Sequence, residues 1–108
     1  PCSVTTGVEQ IDVTVPEDYS IGQNYPNPFN PSTTFEYALR QSGRVIITLY
    51  NSLGQKVADL VNEDQPAGRY KVTVDLTELK QAGLASGVYF YQMMAGDFHG
   101  TRRMMFVK

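Results

Sequence analysis

The sequence has no tryptophan, one cysteine (Cys2) and one histidine (His99) in 108 residues. A single thiol closes no internal disulfide and builds no cysteine-based metal cluster, so the fold must rest on packing. Cys2 precedes a polar stretch and reads equally as an inert linker residue or as a link to chain upstream. The lone histidine has no partners from which to assemble a nucleophilic set, and beside the Gly96-Asp97 turn it reads as a solvated residue. Positive charge is scarce: nine basic residues face eleven acidic ones, for a net charge of −2. Arg102-Arg103 is the sole adjacent basic pair, too little for a stripe that tracks phosphates, so nucleic acid is not an expected partner. No apolar run reaches the length of a membrane span, and no glycine-rich cradle follows a strand and opens a helix. Glu63 and Asp64 are adjacent, but nothing around them forms the oxygen-rich loop that calcium needs. The expectation is a chain with no catalytic residues, no metal and no cofactor. It opens on Pro1 without a signal-peptide pattern, which reads as an excised module, with any export signal lying upstream.

What is present is alternation. The chain is 42% hydrophobic and 19% charged, enough to bury one core without staples. In residues 1–18, Val8, Ile11, Val13 and Val15 alternate loosely with Glu9, Asp12 and Thr14 as far as Pro16. That segment reads as a linker or as an edge strand leading in from an upstream domain, with the main domain spanning residues 19–108. Period-two patterns then predict strands over residues 33–39, 44–51, 56–61, 69–76, 87–95 and 98–107. Phe35, Ile47, Val72 and Tyr91 are the expected central core positions, with Val57 as the core contact of its strand. Residues 62–68 read as a polar turn holding Glu63 and Asp64. Thr77–Ala82 is the one helix-like stretch, capped by Thr77 and stopped by Gly83. Short strands at regular turn spacing predict an all-β fold, an immunoglobulin-like antiparallel β-sandwich of about seven strands with Greek-key connections and no disulfide.

Three features ask for a function. Prolines at 26, 28 and 31 exclude helix and a central strand, so Pro26-Asn27-Pro28-Phe29-Asn30-Pro31 should form a rigid loop, its asparagines folded onto nearby backbone. Tyr25 and Phe29 are expected to plug it against the core edge. Tyr50 and Phe90 fall opposite the core faces of their strands and are candidates for exposed rings. They keep open a structural or carbohydrate-binding accessory module of a secreted polysaccharide-degrading enzyme. The tail from Thr101 to Lys108 is basic, then apolar, then ends in lysine. It reads either as an ordinary last strand or as an end recognised by a receptor.

Four ordered blocks carry a resemblance. Gln23-Asn24-Tyr25-Pro26-Asn27-Pro28-Phe29-Asn30-Pro31-Ser32-Thr33-Thr34 is similar to the opening motif of type A C-terminal sorting domains of the type IX secretion system. Tyr50-Asn51-Ser52-Leu53-Gly54-Gln55-Lys56-Val57 resembles their second block. Leu84-Ala85-Ser86-Gly87-Val88-Tyr89-Phe90-Tyr91 resembles their Gly-x-Tyr block, and Thr101-Arg102-Arg103-Met104-Met105-Phe106-Val107-Lys108 their ending. The same blocks resemble the immunoglobulin-like domain of flagellar hook-capping proteins, an assembly scaffold. The sorting resemblance implies a signal that takes a cargo through the periplasm and the type IX translocon to the cell surface or medium. It implies cleavage by a sortase-like protease before Tyr19 and attachment of the cargo to surface lipopolysaccharide, with some cargoes released. The partners implied are translocon and sortase components and the upstream cargo domain. Gly87, Tyr89, Arg102, Arg103, Val107 and Lys108 would form the recognition surface, framed by the loop from Pro26 to Pro31.

Overall fold

The computed structural model describes residues 5–12, 17–25, 27, 32–75 and 87–107. Cys2, Pro26, Phe29, the helix-like stretch 77–82 and Lys108 lie outside the described residues. The described residues form eight strands: β1 (Thr5–Asp12), β2 (Ser20–Ile21), β3 (Ser32–Leu39), β4 (Gly43–Tyr50), β5 (Lys56–Gln65), β6 (Gly68–Asp75), β7 (Gly87–Ala95) and β8 (Phe98–Phe106). They make two four-stranded sheets, in the orders β1-β6-β3-β2 and β5-β4-β7-β8. Every pairing is antiparallel. The protein is an all-β sandwich, as the alternation predicts.

The core follows from the period of two. In β4, Val45, Ile47 and Leu49 have no exposed surface, and in β6 the same is true of Val72 and Val74. The four expected central residues, Phe35, Ile47, Val72 and Tyr91, are all fully buried. Phe35 and Tyr91 join the two sheets, their rings stacked with centroids 4.3 Å apart. Burying a side chain of this size stabilises the fold by roughly 1.5–3 kcal/mol.

Three local expectations change. The fifth strand does not stop at Val61 but runs on to Gln65, so Glu63 and Asp64 lie exposed in a strand and not in a turn. Its continuation is held by Gln65, which is buried and accepts a hydrogen bond from the Tyr37 hydroxyl. An irregularity in the β4–β5 register lets Leu60 and Val61 both face inward, and Val57, half-buried, packs against the core as expected. The alternation predicts no strand between Pro16 and residue 33, yet Ser20 and Ile21 pair with Ala38 and Tyr37 as β2. Tyr25 is not a plug: half of it is exposed, and its hydroxyl donates to Glu36 Oε2 at 3.3 Å. Tyr25 bridges to Thr34 in the ladder, and the residue that turns inward is its neighbour Asn24.

β2 also reaches the second sheet. A Cβ on Gly100 would stand 2.8 Å from Ile21 Cγ2 and 2.9 Å from the Phe98 ring. Glycine there lets the two elements approach, which is how the segment before the prolines comes to lie beside β8.

Candidate functional site

Among the described residues β8 is the outer strand of its sheet, with β7 as its one paired neighbour. Its register with β7 begins at Ala95 opposite Phe98, across the two-residue Gly96-Asp97 turn. In an antiparallel ladder the outermost pair closing such a turn exchanges hydrogen bonds, and bonding alternates from there. Even-numbered residues of β8 therefore bond to β7, while odd-numbered ones turn their N–H and C=O to the open side.

The open side is where the segment 21–27 lies. Asn27 Oδ1 accepts from the Met105 N–H at 2.9 Å, and Gln23 Nε2 donates to the Arg103 carbonyl at 2.6 Å. Arg102 Nε donates to the Ile21 carbonyl at 3.0 Å, and the Tyr91 hydroxyl donates to the Gly22 carbonyl at 2.7 Å. The segment is anchored to the first sheet as well. Gly22 N–H bonds the Glu36 carbonyl, Tyr25 and Thr34 exchange two backbone bonds, and buried Asn24 donates to Thr33 Oγ1 at 2.9 Å. Gln23 also donates to Asn24 Oδ1, so the two amides act together. The motif residues before the prolines thus tie the edge of one sheet to the edge of the other.

Electrostatics at this junction are simple. Burial pushes the Tyr91 hydroxyl up to about 12, against the opposing pull of the Asn24 backbone and of Arg102. Arg102 and Arg103 are exposed, and no described residue forms an ion pair with either. A shallow cleft lined by Gln23, Asn27, Phe90, Thr101, Arg102 and Arg103 opens along the strand.

The expected recognition residues divide by their placement. Arg103 and Val107 are exposed on or just beyond β8, and Arg102 is exposed on the same strand. Tyr89 is 4% exposed and packs edge-on against Phe106, so it lies beneath this surface and not on it. Gly87 opens β7 opposite Phe106 with φ of 148°, a conformation that a side chain disfavours. Asn27 is the described member of the proline loop. Lys108, Pro26, Pro28, Phe29, Asn30 and Pro31 lie outside the described residues. Residue-by-residue reading of the sequence missed Gln23, Asn24 and Met105 as contacts. The available signal was two adjacent side-chain amides just before a proline loop, where the chain needs local hydrogen-bond partners.

His99 is exposed beside the turn. Among the described residues no group of three or more histidine, cysteine or acidic side chains could hold a metal, and no helix is long and apolar enough to cross a membrane. Tyr50 and Phe90 are half-buried cross-strand neighbours.

One protein-family model, described as Secretion system C-terminal sorting domain, matches residues 23–108. No curated protein and no solved structure matches the chain. The matched span begins at Gln23 and includes both halves of the junction.

Proposed function

Since the chain belongs to the Secretion system C-terminal sorting domain family, the sorting domains of type IX secretion, we propose that it carries a cargo joined upstream of it through the type IX translocon. The edge of β8 that the 23–27 segment covers is the element the machinery reads. The observation that carries this reading is that the two ends of the matched span meet on one open sheet edge. Arg102, Arg103, Val107 and Lys108 supply the recognition surface. Gly87 and Tyr89 support it, one by letting β7 start opposite Phe106 and the other by packing under Phe106. Asn27, the described residue of the expected Pro26–Pro31 frame, borders this edge through Met105. Passage through the periplasm, cleavage before Tyr19 by a sortase-like protease, and attachment or release at the surface complete the proposal. The domain itself performs no catalysis in it.

The test is a fusion of the whole chain to an exported fluorescent reporter in a bacterium with a working type IX system. Removing everything from Arg102 onward would be a poor control, because Met104 and Phe106 are fully buried core residues. The informative partner is a version lacking only Val107 and Lys108. The full fusion should reach the surface or medium while the shortened one stays folded in the periplasm. Retention of both would sink the sorting reading.

A further inference from the structure

We infer that the open edge of β8 is a docking site for an extended, acidic segment of another protein, and that Gln23 and Asn27 hold this edge closed until that segment arrives. The inference rests on the sorting reading and specifies how the site is engaged.

A side-chain carboxamide carries the same donor and acceptor as a peptide group. Gln23 and Asn27 put one of each on β8, a donor at the Arg103 carbonyl and an acceptor at the Met105 N–H. Those are the bonds that a neighbouring strand would make along this edge. Among the described residues the segment's backbone bridges to the first sheet, at Tyr25–Thr34, and forms no ladder with β8. Among the described residues the cover on the open-side backbone is thus two exposed side-chain bonds, which water contests and a continuous strand can replace.

Charge selects the occupant. The opposite edge of the same sheet, β5, carries exposed Asp59, Glu63 and Asp64, with Asp59 paired to Lys56 and Asp64 to Arg44. The β8 edge carries exposed Arg102 and Arg103, for which the described residues offer no carboxylate. Met105 and Val107, 42% and 43% exposed, add an apolar stretch beside them. An incoming strand with carboxylates against the arginines and an apolar residue against Met105 fits this edge. A second copy of β8 would instead bring arginines toward arginines, which disfavours pairing.

The test places variants of the full chain in the export fusion. Met105→Pro deletes an N–H that β7 does not use, at an edge position where proline is tolerated. It should fold and lose export by about tenfold, the scale of one lost hydrogen bond. Asn27→Ala breaks the same Asn27–Met105 bond from the other side but leaves the N–H available, so export should hold or rise. Arg103→Glu, on an exposed side chain, should lose export through repulsion and decides the matter if the proline variant does not fold. Parental export of Arg103→Glu overturns the inference, as does parental export of a folded Met105→Pro. Equal loss in Asn27→Ala and Met105→Pro also overturns it, because the cover itself would then be what is read. Failure of the unmodified chain to leave the cell would instead strike the sorting reading.

Discussion

Tyr91 shows how one side chain serves two purposes. Its ring stacks on Phe35 across the core, while its hydroxyl reaches out to Gly22 and fastens the segment that covers β8. Burial holds that hydroxyl protonated up to about 12. Tyr37 is shifted in the same direction and for the same first cause, burial. In the unfolded chain a tyrosine gives up its proton near pH 10. The stability that Tyr91 contributes is thus complete below about pH 10 and is lost as pH rises toward about 12, by on the order of 2 kcal/mol. Urea midpoints should hold steady to about pH 9 and fall above it, and Tyr91→Phe should flatten the fall. A midpoint independent of pH in that range would remove Tyr91 from this account. The neighbouring amides, Gln23, Asn24 and Asn27, have no titration and act through geometry alone.

At the scale of elements, the strands are unequal in what they hold. β8 buries Met104 and Phe106 completely, so it is core and recognition edge at once. β1 pairs with β6 alone, and its Val8 and Ile11 remain 36% and 43% exposed. β6 keeps β3 on its other side if β1 is removed. Residues 19–108 should therefore fold without the first eighteen, with a melting temperature lowered by several degrees and no loss of cooperativity. A broad, non-cooperative melt of the shortened chain would show that β1 is integral to the sandwich. The same comparison bears on cleavage before Tyr19, which would separate β1 from the rest of its sheet.

The whole molecule was largely legible where periodicity governs. Phe35, Ile47, Val72 and Tyr91 sit at the centre because alternation allows one inward face per strand. Met104 and Phe106 point in, and Met105 and Val107 out, for the same reason. What was not legible depends on pairings between distant segments. Ser20 and Ile21 are too few to show a period, and only the facing Tyr37 and Ala38 make them a strand. Glu63 and Asp64 look like a turn until the partner strand β4 extends alongside them. The junction itself joins residues about eighty positions apart in sequence, and no local pattern announces it. The same topology sets the folding rate. Pairings such as β1–β6 and β4–β7 close long loops before any reward, so refolding should take milliseconds to seconds. Stopped-flow tyrosine fluorescence would measure this, and microsecond refolding would contradict the non-local core. The alternation of bonds along β8 has a further consequence, visible in deuterium uptake. Even-numbered amides of β8 are locked into the sheet and exchange when the sandwich opens as a unit. Among the described residues the Met105 amide is screened by one exposed asparagine, and it should exchange whenever that side chain rotates away. A single strand thus keeps two clocks, a slow one facing the core of the sheet and a fast one facing outward.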